Sequence, residues 1–256
     1  IDENLELSLQ NARRQVELEN HDKSLAASER LAAVIPVFYH RQFLSMDDWD
    51  SFMEQTGLPV VIDAAPALEV QALPQHCTII YSLHATKNYG VGEGGIVLSP
   101  NELVAQRVKR MSNFSFDKGL IHEVGVNAKL SEYHAAVGLA QLQRADTVKS
   151  RRLLTQSRLS HLSNSLGARL AIRSRFEADP CYLIIEDRDD DAAELLDYLL
   201  ANNIECRRFH HPGCHRQPAF AHFDVAGELT ATDNIQQRLI SLPFYNALTD
   251  QQIDKL

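Results

Sequence analysis

The most informative stretch of the chain is a strand end followed by a lysine and a cluster of glycines, and it reads Tyr81-Ser82-Leu83-His84-Ala85-Thr86-Lys87-Asn88-Tyr89-Gly90-Val91-Gly92-Glu93-Gly94-Gly95. Residues 77–82 are mostly apolar or β-branched and predict a strand that ends on the hydroxyl of Ser82. The glycines formally match a dinucleotide-binding fingerprint, but that motif requires a helix after it, whereas residues 95–99 predict another strand. A phosphate-binding P-loop is also excluded, because Lys87 precedes the glycines instead of following them.

Strands and helices alternate on both sides of this stretch, which predicts an α/β fold. The pattern predicts further strands at 32–38 and 59–63 and helices at 45–57 and 101–111. A long amphipathic helix over 131–158 is then followed by predicted strands at 181–186, 204–209 and 238–244 and a helix at 190–202. We therefore expect a larger domain with a largely parallel sheet over residues 1–150 and a smaller α/β domain over residues 151–256.

The composition is that of an ordinary globular protein and narrows the classes of function. The 256 residues include 45% hydrophobic and 23% charged residues, which excludes wholesale disorder. The formal net charge of -9 repels a phosphate backbone, so no nucleic-acid partner is expected. The four cysteines are scattered without a CxxC pair, and no apolar run approaches the roughly 20 residues of a membrane helix. A cytoplasmic protein without membrane contact is therefore predicted.

Side chains suited to a pyridoxal 5'-phosphate (PLP) site follow two of the predicted strands. Such a site needs a lysine for a Schiff base, a carboxylate that keeps the pyridine nitrogen protonated, and short donors for the phosphate. Lys87 supplies the amine, Asp63 ends the strand at 59–63, and Ser82 ends the next strand. Ala65 is small enough to lie against the ring face. Taken singly, Lys87 is better explained as a surface lysine, Asp63 as a capping aspartate and Ser82 as a turn serine. Their combination nevertheless favours a PLP site.

Five segments of the chain resemble motifs of the DegT/DnrJ/EryC1/StrS sugar aminotransferases, which are fold type I PLP enzymes. The segments are Val61-Ile62-Asp63-Ala64-Ala65, Ser82-Leu83-His84-Ala85-Thr86-Lys87, Gly92-Glu93-Gly94-Gly95, Gly125-Val126-Asn127-Ala128-Lys129-Leu130-Ser131-Glu132 and Ser241-Leu242-Pro243-Phe244-Tyr245. They occur in the family's order, and the resemblance runs from about Val34 to the end of the chain.

Two features depart from the family pattern. Pro66 stands where the family usually has Gln or His, and proline offers neither a side-chain donor nor a backbone N–H. The family's N-terminal portion, with a glycine-containing phosphate turn and an aromatic residue that stacks on the pyridine ring, has no counterpart before Ile1. The PLP-binding large domain is therefore expected to be incomplete at its N-terminus.

The resemblance implies a fold type I large domain, a smaller C-terminal α/β domain and PLP as the cofactor. It implies that Lys87 is the catalytic lysine and that Asp63, Ala65 and Ser82 bind the cofactor. Asn127 matches an asparagine that reaches the phosphate of the neighbouring subunit, which implies a homodimer with shared active sites. The implied substrates are a nucleotide-linked keto-sugar and an amino acid, with glutamate the expected donor.

Two histidines are candidate substrate contacts. His84 lies three residues before Lys87, and the resemblance places His215 in a segment near the mouth of the active site. The histidines and the cysteine between residues 210 and 222 match no zinc-ligand spacing, so no metal is predicted.

Two alternative functions stay open. One is a truncated, catalytically silent family member that acts as a dimer or folding partner. The other is a PLP-dependent sugar dehydratase, since the resembled family includes members with His in place of the lysine. Lys87 favours transamination over that second alternative.

Overall fold

The computed structural model describes residues 9–22, 30–38, 45–68, 72–162, 167–174, 181–189, 191–208, 210–225 and 227–255. The chain folds into two compact units. The first unit comprises Leu9–Phe38 and Phe43–Ala145, and the second includes Asp146–Leu256. The predicted domains 1–150 and 151–256 stay a prediction, because compactness alone does not establish independent folding.

The first unit contains both helices and strands. In chain order they are α1 Leu9–His21, α2 Met46–Thr56, β1 Val61–Asp63, β2 Thr78–Ser82, β3 Gly95–Leu98, α3 Glu102–Met111, β4 Phe116–Asp117, β5 Leu120–Ile121 and α4 Glu132–Gln143. Helix α2 begins after Ser45, whose Oγ accepts the N–H of Asp48 at 3.3 Å. It ends at Gly57, which adopts the left-handed conformation at φ 70. These two caps are the ones expected from the sequence.

The main sheet of the first unit has the strand order β1-β2-β3. Strand β1 runs parallel to β2, whereas β3 pairs with β2 in the antiparallel direction. The strand predicted at 32–38 was wrong as a continuous element: it forms isolated parallel bridges at Val34 and Val37. Pro36 interrupts the ladder because it has no N–H to donate, although its carbonyl oxygen accepts the N–H of Asp63 at 2.9 Å. Among the described residues, the sheet therefore has one parallel and one antiparallel strand pairing, and the isolated bridges of Val34 and Val37 add parallel contacts to Val60 and Asp63.

A buried carboxylate ties helix α2 to the start of β2. Asp50 accepts three backbone N–H groups, from Gln75 at 2.7 Å, His76 at 3.0 Å and Cys77 at 2.9 Å. Burial raises the pKa of Asp50. The combined effect of its hydrogen bonds is larger and keeps this pKa below its usual value. Asp50 therefore fixes the entry into the strand that ends on Ser82.

The second unit continues from the end of α4. Its elements are α5 Ala145–Leu162, β6 Leu170–Ile172, β7 Tyr182–Asp187, α6 Ala193–Ala201, the 3-10 turns Cys214–Arg216 and Pro218–Phe220, α7 Thr230–Gln236, β8 Leu239–Pro243 and α8 Asp250–Lys255. The sheet order is β6-β7-β8 and both pairings are antiparallel. Leu183 and Ile185 pack in one apolar cluster of this unit, while Ile184 belongs to another. This division follows from the alternation of side chains along a strand.

Two predicted elements differ in this region. The single helix predicted over 131–158 is two helices, because Arg144 leaves the helical conformation at φ -103 and ψ 0. The strand predicted at 204–209 reduces to an isolated bridge between Arg207 and Ser241, and residue 209 lies outside the described residues. Across the described ranges, no helix is both long and apolar enough to cross a membrane.

Candidate active site

Asp63 ends strand β1 with its carboxylate held in place. The side chain is half-buried, and Oδ1 accepts the backbone N–H of Ala65 at 3.0 Å. This local hydrogen bond orients the carboxylate where β1 stops. Ala65 itself is half-buried and follows the strand by two residues.

Ser82 lies at the same edge of the sheet, as the sequence predicts. Strands β1 and β2 are parallel, with Asp63 opposite Ile80. Beyond that pair, the N–H of Ser82 donates to the carbonyl oxygen of Ala65 at 3.4 Å. The Ser82 Oγ accepts the N–H of His84 at 3.1 Å, which leaves its own O–H available as a donor.

Lys87 lies in a tight turn after β2. Its N–H donates to the carbonyl oxygen of His84 at 2.9 Å, and its own carbonyl oxygen accepts the N–H of Gly90 at 3.0 Å. The side chain is half-buried and, within the part of the chain that the structure describes, makes no hydrogen bond or ion pair. Hydrogen bonds therefore fix the backbone of Lys87 on both sides, while its side-chain amine has no partner among the described residues.

The glycines allow the chain to fold back from β2 into β3. The N–H of Leu83 donates to the carbonyl oxygen of Gly94 at 2.9 Å, and the N–H of Ala85 donates to that of Gly92 at 2.8 Å. At Gly90, a Cβ atom would lie 2.6 Å from the carbonyl oxygen of Ala85. Only glycine fits this close backbone approach.

Helix α4 contributes two contacts to this turn that sequence reasoning missed. Gln141 Nε2 donates to the carbonyl oxygen of Gly90 at 3.1 Å. The imidazole of His134 lies beside Gly92, 3.0 Å from the place where a Cβ atom would stand. The helical pattern around these residues indicates the helix, but no local signal shows which turn the helix contacts.

The side chain of His84 contacts the loop that contains Lys87. Its Nδ1 accepts the N–H of Thr86 at 3.2 Å and lies 2.9 Å from Thr86 Oγ1, while Nε2 lies 3.7 Å from Glu93 Oε1. The imidazole of His84 is therefore engaged within the loop that contains Lys87. Its role as a substrate contact stays a prediction.

Asn127 is held by its backbone and exposes its side chain. The neighbouring N–H groups of Val126 and Ala128 donate to the carbonyl oxygens of Met111 at 2.8 Å and Ser112 at 2.9 Å. Among the described residues, the amide of Asn127 makes no hydrogen bond. A side chain so placed is available to a group outside this chain.

His215 lies in the second unit. Its Nε2 is 2.7 Å from Asp233 Oδ1, and Arg216 donates to Asp233 Oδ2 at 2.5 Å. Arg216, and after it His215, lower the pKa of Asp233 to about 2. One ring nitrogen of His215 is therefore engaged, and its role as a substrate contact stays a prediction. The described residues contain no group of three or more His, Cys, Asp or Glu side chains that could hold a metal ion.

The residues at the edge of the first sheet fit PLP by their donor set. Asp63 offers an oriented carboxylate, Ser82 a hydroxyl donor and Lys87 an amine without a partner in the described part of the chain. Together they are the groups that a pyridinium nitrogen, a phosphate and an aldehyde require.

The profile of the DegT/DnrJ/EryC1/StrS aminotransferase family matches residues 13–256. Protein Rv3402c of Mycobacterium tuberculosis (strain ATCC 25618 / H37Rv) is 28% identical over 226 residues, which cover 81% of this chain and 53% of that protein. The dTDP-4-amino-4,6-dideoxy-D-glucose transaminase of Shigella dysenteriae is 27% identical over 244 residues, covering 90% of this chain and 65% of the enzyme. The chain thus spans about half to two thirds of the length of these curated relatives.

A solved structure shows the same fold. It is the crystal structure of an inferred PLP-dependent aminotransferase from Bacillus cereus ATCC 10987, with a TM-score of 0.81 and 29% sequence identity. The match covers 94% of this chain and 67% of that one. The predicted fold class, a fold type I PLP-dependent transferase, is confirmed by this similarity.

Proposed function

This chain belongs to the DegT/DnrJ/EryC1/StrS aminotransferase family, and from that membership we propose that it carries the catalytic lysine of a sugar aminotransferase. The family's cofactor is PLP. The proposed reaction transfers an amino group from an amino acid, with glutamate as the expected donor, to a nucleotide-linked keto-sugar. The observation that carries the proposal is that the half-buried Lys87 is held in a turn after β2, which ends on Ser82, while the parallel neighbouring strand β1 ends on Asp63.

The proposed roles follow from the chemistry of each side chain. When bound, PLP supplies an aldehyde that combines with amines and a ring that withdraws electrons from the substrate Cα. Lys87 Nζ would hold the cofactor by condensing with its aldehyde with loss of water; once the amine of the amino acid had displaced it, Nζ would take the proton from the substrate Cα. The Asp63 carboxylate, oriented by the N–H of Ala65, keeps a proton on the pyridine nitrogen. Ser82 donates its O–H to the phosphate, and Ala65 leaves room for the ring.

The substrate class is supported by the relatives. The Shigella dysenteriae relative is named for a dTDP-linked 4-amino sugar. To test the substrate class, the protein is incubated with dTDP-4-amino-4,6-dideoxy-D-glucose and 2-oxoglutarate, and the glutamate that forms is measured. Glutamate release that is lost in the Lys87→Arg variant supports the proposal. Release that persists in Lys87→Arg contradicts it, because arginine cannot attach to the aldehyde or accept a proton.

We also propose a homodimer with shared active sites. Asn127 exposes its amide, and helices α3 and α4 bury none of their residues. Large apolar side chains nearby face solvent, with Val124 88% and Tyr133 87% exposed. An apolar surface of this kind favours a protein interface.

Mixing of inactive subunits tests the sharing. Lys87→Ala subunits are combined with Asn127→Ala subunits and allowed to exchange. A mixed dimer has one site with both residues intact, so part of the activity should return. If subunits exchange and no activity returns, each site is built from one chain.

A further inference from the structure

A cavity of about 440 Å³ in the second unit has three arginines among its seven lining residues. Helix α7, strand β7 and the residue after β6 all contribute to its walls. Its lining residues are Arg173, Glu186, Arg188, Ala231, Asn234, Ile235 and Arg238. None of them belongs to the cofactor motifs, so this cavity is a separate feature of the chain.

The charges around the cavity do not balance. Glu186 is buried, and both of its oxygens are occupied: Oε2 accepts from Arg173 Nε at 2.6 Å and Oε1 from Arg238 at 2.5 Å. Arg188 adds a third guanidinium to the lining. Asp187, the adjacent acid, already pairs with Arg169 through hydrogen bonds of 2.9 and 2.7 Å. The lining residues thus comprise three guanidinium groups and one carboxylate, a formal charge of +2.

Donors remain on the three arginines after their contacts within the protein. Each guanidinium carries five N–H groups. Arg238 uses Nε toward the carbonyl oxygen of Asp187 at 3.1 Å, and Arg188 makes a 3.4 Å contact to the carbonyl oxygen of Ala168. The other N–H groups of the three guanidinium groups have no acceptor within the described ranges. Their nitrogens are also absent from the buried polar atoms that lack a partner. The remaining donors are therefore accessible from solvent.

We propose that this cavity binds a phosphate or diphosphate group. Guanidinium forks match the oxygens of such groups in charge and in geometry. A diphosphate offsets the two excess positive charges, while the Asn234 amide offers a further neutral donor. The volume lies within the range of small-molecule sites. The proposal stands independently of the aminotransferase activity.

Calorimetric titration of the chain with inorganic diphosphate, at fixed chloride concentration, tests the site. Arg188→Gln removes an exposed guanidinium whose one hydrogen bond within the described ranges is long, at 3.4 Å, and Asn234→Asp adds a negative charge at an exposed position of α7. Arg207→Gln is the matched control, because this exposed arginine lies outside the lining. Urea unfolding of each variant establishes that the fold is kept.

We expect saturable binding of one diphosphate per chain. The Kd should rise about tenfold or more in Arg188→Gln, rise further in Asn234→Asp and stay unchanged in Arg207→Gln. Titration with dTDP distinguishes a nucleotide ligand from free diphosphate. A Kd for dTDP that is lower than that for diphosphate and depends on Arg188 indicates a nucleotide site. Equal Kd values indicate that the site recognises the phosphate groups alone. The proposal is overturned by an absence of saturable binding, by equal weakening in Arg207→Gln, or by loss of binding in Ser82→Ala but not in Arg188→Gln.

Discussion

The side-chain amide of Gln141 donates a hydrogen bond of 3.1 Å to the carbonyl oxygen of Gly90, although 51 residues separate them in the chain. The N–H of Gly90 in turn donates to the carbonyl oxygen of Lys87. Gly90 therefore connects helix α4 to the lysine turn through both of its backbone polar groups. Gly90 is therefore one of the residues that fix the turn containing the proposed catalytic Lys87.

Substitution of Gly90 should disturb the turn. In Gly90→Ala, the new Cβ would lie 2.6 Å from the carbonyl oxygen of Ala85, so the backbone has to move. We expect the free energy of unfolding to fall by about 1–3 kcal/mol, as for other overpacked sites. Gly138→Ala is the control. Outside its own helix and among the described residues, the new Cβ would meet Val91 Cγ1 at 3.4 Å, an ordinary contact, and alanine favours a helix over glycine by about 1 kcal/mol. Urea unfolding compares them, and equal stability of the two variants would contradict the argument.

Asp63→Asn should separate cofactor binding from turnover. The amide oxygen can still accept the N–H of Ala65, so the local fold and PLP absorbance should persist. The neutral amide cannot hold the pyridinium proton, and a charged hydrogen bond is worth about 1.5–3 kcal/mol, so kcat should fall at least about tenfold. Asp117→Asn, which changes an exposed carboxylate on β4, serves as the control. A near-normal kcat in Asp63→Asn would show that Asp63 only caps the end of the strand and has no role in turnover.

The cysteines should differ sharply in reactivity. Burial, with Asp50 adding to it, raises the pKa of the Cys77 thiol to about 12, and burial also raises the pKa of Cys206. Cys214 is exposed. Because the thiolate is the reactive form, iodoacetamide at pH 8 should label Cys214 in the native protein and reach Cys77 and Cys206 only after unfolding. Peptide mapping measures this, and equal native labelling of Cys77 and Cys214 is the opposing result.

Acid should weaken the contact between the 210–217 loop and α7. Arg216 and then His215 lower the pKa of Asp233 to about 2, from an ordinary value of 3.8. A carboxylate with a depressed folded pKa stabilises the fold above its unfolded pKa, and this contribution is lost as the pH falls from about 4 toward 2. The stability difference between the wild-type chain and Asp233→Asn should therefore be largest at pH 5 and shrink by pH 3. A difference that is independent of pH in urea unfolding would exclude this linkage.

Local signals in the sequence predict much of the first unit. The cap at Ser45, the stop at Gly57 and the strand ends at Asp63 and Ser82 all depend on near neighbours in the chain. The sequence does not predict that β3 is antiparallel or that Arg144 breaks the long helix. Those features depend on pairing and packing over long separations, which override local propensity.

The candidate site shows the same limit. The spacing of Asp63, Ser82 and Lys87 places them after neighbouring strands, and the parallel pairing of β1 and β2 puts the first two at one edge. The support from Gln141 and the anchoring of β2 by Asp50 are contacts between distant segments. Glutamine in an amphipathic helix and aspartate in another carry no local sign of those partners.

Borohydride treatment of the PLP-loaded protein tests the central claim most directly. Reduction makes the link between the cofactor and its lysine permanent, and peptide mass mapping then locates the added mass. We predict that it lies on the peptide containing Lys87 and disappears in Lys87→Arg. Added mass on Lys109, Lys118 or Lys129, with Lys87 unmodified, would contradict the assignment.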